Sequence, residues 1–231
     1  MAQAVRMIDL LTETLQEFGL ELDMAKTKML STTVLKNETT LIETEHGFVE
    51  LLAAGRVHKY LGRAFSGNLR HRGQAAADHR ISCAWCKFRS LEKTLTDKRV
   101  NIKLRLRLFS SAVTPSLVYS LDTTPLTNTQ LQRFDVVQNK MLRKMVGWLV
   151  LGDEAWDVIG HRMKMRLEAA LLCHPVRPWS EEINTSKQKL LSRLNGGSMP
   201  HICQLALAWM PGCCAGRARG RPRTRCFDNI P

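Results

Sequence analysis

Apolar side chains return at helical intervals along residues 2–18, where Val5, Ile8, Leu11 or Thr12, Leu15 and Phe18 share one face and acids lie opposite. Gly19 supplies the left-handed stop at which many helices end. The period then shortens. Leu20, Leu22 and Met24 alternate as a short strand, residues 28–34 suit a second, and residues 39–50 read as a polar hairpin. A few short strands under one helix lack a partner layer, so this block is expected to be α+β and to need further elements to close its sheet.

From residue 74 to residue 96 the helical period resumes, with Ile81, Ala84, Trp85, Phe88, Leu91 and Leu95 on one stripe and Arg80, Lys87, Arg89 and Lys93 beside or opposite it. Residues 101–109 (NIKLRLRLF) alternate like a strand, but the flanking Ser110-Ser111-Ala112 favours a helix. Thr127 is a suitable N-cap for a helix over 128–146, whose Leu131, Phe134, Val137, Met141, Leu142 and Met145 recur every three or four residues before Gly147. A further helix is expected over 154–173, followed by a linker at Pro175 and Pro178, a short helix over 186–195 and another over 200–209. After Pro211 the residues are mostly Gly, Arg, Cys and Pro, and residues 211–231 are expected to be disordered. The fold class is therefore mainly α, with a small α+β part at the N-terminus.

Charge changes the picture through its distribution. The chain of 231 residues carries a net +13, yet residues 1–54 hold four Lys or Arg against nine Asp or Glu, and the remainder holds 30 against 12. Residues 55–111 are the densest part, with fourteen basic side chains and three acids. Such a surface fits a polyanion, and nucleic acid is the expected partner. Seven cysteines without an apolar leader suggest a reducing compartment, since Arg6, Asp9, Glu13 and Glu17 interrupt the first helix. No run approaches the ~18 apolar residues of a membrane span. The expected location is intracellular, nuclear or cytoplasmic, with no membrane partner.

Several motifs stand in a telling order. Residues 18–30 run FGLELDMAKTKML, a helix, a Gly stop and a Lys-bearing strand, and Tyr60-Leu61-Gly62 follows in HKYLG. Next come the basic helical region 79–109, the segment 116–119 after Pro115, a helix ending LRKMVGW, and the tail RGRPRTRCFDNI. In this order, over most of the chain, the sequence resembles the C-terminal part of reverse transcriptases from non-LTR (LINE-type) retrotransposons. The resemblance implies a palm remnant over 1–72, a thumb-like basic helical domain over 73–150, a helical C-terminal region over 151–210 and an Arg-rich tail over 211–231. It also supports the helical reading of 101–109.

The resemblance implies roles for particular residues. Lys26 would approach the incoming triphosphate or its pyrophosphate, with Lys28 the alternative if the register slips, and a solvated turn lysine the plainer reading. Tyr60, Leu61 and Gly62 would form the turn that supports the primer, against the alternative of an ordinary hairpin. Arg80, Lys87, Arg99, Lys103, Arg105 and Arg107 would contact phosphates of an RNA template or RNA/DNA hybrid duplex, and a solvated helix face is the bland alternative. In the tail, Arg219, Arg221 and Arg223 surround an Arg-Gly-Arg-Pro of the kind that enters the A·T minor groove, so a free-standing DNA-binding protein is the competing reading.

Polymerase chemistry needs aspartates that hold two metal ions, and the sequence has no adjacent Asp-Asp pair. Asp9, Asp23 and Asp78 are scattered, so the chain alone is expected to be inactive, with Mg2+ belonging to the missing palm and fingers portion of a complete polymerase. No metal ligand set is expected either: Cys83 and Cys86 form a lone Cys-x-x-Cys within a helix pattern. Two departures weaken the match. Tyr119 is followed by SLDTTPLT where the resembled enzymes have Gly, an acid and an aromatic, and Cys226 stands at the usual Trp position. A decayed, non-functional copy would carry such changes, as would ordinary divergence.

Overall fold

The computed structural model describes residues 2–31, 38–53, 56–66 and 72–195. The chain divides into two compact units, Met1–Ala76 and Ala77–Pro231. The expected fold class is the one observed: a small α+β part precedes a succession of helices.

In the first unit, helix α1 (Ala2–Glu17) ends as its sequence requires. Gly19 takes φ 69° and its N–H donates to the Gln16 carbonyl, while the Leu20 N–H reaches back to Leu15. These two bonds satisfy carbonyls that the helix end leaves open. They also overturn the strand expected over Leu20, Leu22 and Met24. The Leu20 amide is committed to the helix end, and Asp23 captures the amides of Lys26 and Thr27 in a turn, leaving no extended ladder between. Strand β1 is only Lys28–Met29. It pairs parallel with β3 (Gly47–Leu51), which pairs antiparallel with β2 (Thr40–Thr44), giving the order β1-β3-β2.

Helix α1 packs toward β2 through a face turned slightly from the expected one. Val5, Ile8 and Leu15 are half-buried and Thr12 is buried, whereas Leu11 and Phe18 are exposed. Asp9 takes a place at this contact because its carboxylate accepts the Glu45 N–H of the β2–β3 turn, 3.1 Å away. A buried carboxylate is tolerable when a fixed donor replaces water.

The second unit is built on a core from Ala77, Ala84, Phe88, Leu95, Leu106, Phe109, Leu117, Phe134, Met141 and Trp179, among others. It comprises most of α2 (Arg72–Ser90), then α3 (Glu92–Thr96), α4 (Ile102–Leu108), α5 (Thr114–Val118), α6 (Asn128–Val146), α7 (Trp156–Cys173) and α8 (Trp179–Asn195). Residues 101–109 are thus helical in spite of their alternation, and Asn101 caps α4 by accepting the Lys103 N–H. Between α4 and α5 a π-helical turn, Phe109–Val113, widens the helix. Its cause lies one turn on: Pro115 has no N–H and its ring would crowd a carbonyl four residues back, so the Thr114 N–H bonds to Phe109 instead, five residues away.

Helix α6 carries the expected cap and core. Thr127 and Gln130 form a reciprocal capping box, Gly147 ends the helix at φ 78°, and every predicted core residue from Leu131 to Met145 is buried. Helix α8 is longer than expected, starting at Trp179 rather than near 186. Its first amides find acceptors on α6: the Trp179 N–H donates to Gln138, and the Ser180 N–H and hydroxyl donate to Asp135. Caps supplied by another helix leave no local signature. The buried stripe Trp179, Ile183, Lys187 also hides its period behind a lysine. The helix expected over 200–209 and the tail lie outside the described residues.

Arg105 is buried, and its guanidinium donates to the carbonyls of Val100, Leu95 and Met145 at 3.0, 3.2 and 2.7 Å. It thereby closes the C-terminal ends of α3 and α6 together. Arg105→Met is expected to destabilise the chain by about 3 kcal/mol, because it strands carbonyls in a dry site, as chemical denaturation would show. A gain is expected elsewhere: Ser120 sits at φ 66°, a left-handed conformation that favours glycine. Ser120→Gly should raise stability by about 0.5 kcal/mol, read as a higher urea midpoint at unchanged slope.

Candidate nucleic-acid interface

The residues singled out in the first unit lie at two turns. Lys26 follows the Asp23 turn, its side chain 86% exposed and its ammonium 2.8 Å from the Asp23 carboxylate. Hydrogen bonding to Asp23 raises the Lys26 pKa, and the same bond lowers that of Asp23. Lys28 is on strand β1 and pairs with Glu50 across the ladder at 2.9 Å. Tyr60, Leu61 and Gly62 form the tip between β4 (Val57–Tyr60) and β5 (Arg63–Ser66). Leu61 and Gly62 both have positive φ, 48° and 75°, the geometry of a tight two-residue hairpin turn. The Tyr60 side chain is exposed rather than packed beneath the backbone.

In the second unit the basic residues divide into two kinds. Arg105 is withdrawn from the expected set, because the carbonyls it closes occupy its guanidinium inside the fold. Burial pushes its pKa below the ordinary guanidinium value, with the Asp97 charge opposing that shift. Arg80 is also buried, donating to the Ser116 carbonyl at 3.3 Å with its guanidinium 5.2 Å from the centre of the Tyr119 ring. Lys87, Arg99, Lys103 and Arg107 are exposed. Of these only Arg99 has a carboxylate within ion-pair distance among the described residues, Asp97 at a loose 3.8 Å.

Arg80 and Lys87 recur at helical spacing along one stripe of α2 and border a shallow open groove with Cys83, Ser90, Ser116 and Tyr119. Lys103 and Arg107 lie one turn apart on α4 and line no part of it. Arg219, Arg221 and Arg223 lie outside the described residues. Tyr119, at the exit of α5, was legible only as part of a motif. Nothing in the local sequence says that its ring would meet Arg80 on α2.

The three aspartates weighed for metal chemistry are already engaged. Asp9 accepts a backbone N–H, Asp23 holds Lys26, and Asp78 pairs with Arg133. Among the described residues no group of three or more His, Cys, Asp or Glu side chains is placed to hold a metal ion. Cys83 lies 3.8 Å from the His79 ring, while Cys86 is exposed. Near the start of α7, Arg162 holds Glu154 in a paired hydrogen bond that lowers the carboxyl pKa and fixes the loop after Gly147 through the Leu151 N–H. No helix among the described residues is long and apolar enough to cross a membrane.

No known family profile matches the chain, and no solved structure matches it significantly. Among curated proteins, one from Caenorhabditis elegans, described as transposon-derived and uncharacterized, is 25% identical over 164 residues, covering 71% of this chain and 57% of that protein. The chain thus spans little more than half the length of that relative, and the likeness supports a transposon-related origin.

Proposed function

We propose that the chain grips nucleic acid as the C-terminal part of a transposable-element reverse transcriptase, holding an RNA template or RNA/DNA hybrid through the basic helices of its second unit. The observation that carries this reading is the exposed, largely uncompensated set Lys87, Arg99, Lys103 and Arg107 on a stretch with fourteen basic and three acidic residues. Cations held apart from carboxylates repel one another at a cost to folding, and a phosphate backbone offsets that cost by releasing its counterions. The order of a Lys-bearing turn, a Tyr-Leu-Gly hairpin and a helical unit agrees with the resemblance, and the transposon-derived relative fits its origin.

The remaining parts of a polymerase would supply the chemistry. Asp9, Asp23 and Asp78 are each engaged within the fold, and on this reading the aspartates that hold Mg2+ belong to those other parts. In the first unit, Met7, Leu10, Leu11, Phe18 and Leu20 are exposed along and just beyond α1, a surface suited to covering by fingers and palm elements of a longer polymerase. The Lys26 side chain is solvent-exposed on its turn, and a triphosphate oxygen would compete with Asp23 for its ammonium.

Fluorescence anisotropy with a labelled RNA/DNA hybrid tests the reading. Affinity is expected to fall steeply between low and moderate salt. Replacing Lys87, Lys103 and Arg107 by Gln should weaken binding and lower the log–log salt slope by about one for each phosphate no longer neutralised. Salt-independent binding would refute it, and loss of binding only on deletion of residues 215–231, with preference for A·T-rich DNA, would favour the tail-based alternative. Primer extension with Mg2+ and nucleotides is expected to give no product from this chain alone. Extension by the purified chain would overturn the assignment of chemistry to other parts.

A further inference from the structure

The groove between α2 and α5 combines features that go beyond its charge. Tyr119 leaves α5 with φ −46° and ψ 120°, and the left-handed Ser120 turns the chain away immediately after it. The residue is 54% exposed although its neighbours Leu117 and Leu121 are buried. The Arg80 guanidinium lies against the ring, anchored by its bond to the Ser116 carbonyl, so a buried cation holds the aromatic in place. Around this ring the groove offers the Lys87 ammonium, the hydroxyls of Ser90 and Ser116 and the half-buried Cys83, and among the described residues no carboxylate lines it.

We propose that Tyr119 is a stacking platform for one unpaired nucleobase of a single-stranded segment, with Lys87 meeting the adjoining phosphate. This rests on the nucleic-acid reading above and narrows it to a second kind of ligand, the single strand that continues beyond a duplex. A flat aromatic face with cations and hydroxyls at its border complements a base plane and its backbone. A base inside a duplex is stacked on its neighbours and shows only its edges, so a ring set beside a groove reaches a base face only when the base is unpaired. An acidic peptide would satisfy Lys87 equally well but offers no base plane to lie over the ring.

The test uses the full chain with two probes, a labelled oligouridylate single strand and a blunt RNA/DNA hybrid. Tyr119→Ala should weaken single-strand binding about tenfold or more while leaving hybrid binding within about twofold, and Tyr119→Phe should behave as the parent protein. Equal single-strand affinity for the parent and Tyr119→Ala overturns the platform but leaves the duplex reading standing. Failure of the parent chain to bind either probe overturns both. A footprint needs no variant: saturating oligouridylate should slow maleimide labelling of Cys86, which is exposed at the groove, and leave the exposed Cys173 on α7 unaffected, as peptide mapping would resolve. Unchanged Cys86 labelling under saturation overturns the proposal even if Tyr119→Ala fails to fold.

Discussion

The missing N–H of Pro115 shapes the centre of the helical unit. Pro115 cannot donate to the Ser111 carbonyl four residues back as a regular α-helix requires. The chain instead adopts a π turn whose widened register carries Phe109 and Thr114 to the same neighbour. Trp179 stacks on Phe109 with ring centres 5.9 Å apart and planes 10° from parallel, and its indole N–H donates to the Thr114 hydroxyl at 3.0 Å. Phe88 meets Phe109 edge-on, so one aromatic column joins α2, the π turn and α8. Aromatic contacts of this kind add to the stabilisation that burial already gives. The indole also has its polar partner, without which its burial would be costly.

Polar groups then fix what the apolar core leaves free. Asp135 and Gln138, one turn apart on α6, accept the first amides of α8, and Gln138 also donates to the Arg177 carbonyl of the preceding linker. A carboxylate at a helix N-terminus both satisfies open donors and meets the positive end of the helix dipole. Arg105 does the converse at the C-terminal ends of α3 and α6. The helical unit is therefore joined at helix ends by side chains distant in sequence, and packing alone does not account for the order of its elements.

This explains which features were readable in the sequence. Helix α6 was, because its period, its Thr127 and Gln130 cap and its Gly147 stop are all local. The β2–β3 hairpin was readable for the same reason, and the fold class followed from the helical periods. The start of α8 was not, since its caps belong to α6 and its core stripe includes Lys187. The strand expected at Leu20 failed because alternation over a few residues is a weak signal beside a Gly-terminated helix and an Asp turn. At the candidate interface, charge density was legible but the use of each cation was not. Arg105 and Lys103 are near neighbours in the same alternating run, yet one is spent on carbonyls inside the fold and the other stands in solvent.

The difference between those two arginine and lysine fates bears on how such a surface is maintained. A buried guanidinium is held by the geometry of the carbonyls it serves, and replacing it strands them, so stability alone would retain it. An exposed cation such as Lys103 or Arg107, with no carboxylate near it among the described residues, contributes little to folding and adds repulsion. Arg80 and Tyr119 lie between these cases. Arg80 is buried, yet it borders a groove and its guanidinium lies against a half-exposed aromatic ring. Folding alone gains little from exposing that ring, because a tyrosine at this exit turn would be better covered. The groove is therefore the place where the demands of structure and of a ligand are easiest to tell apart by experiment.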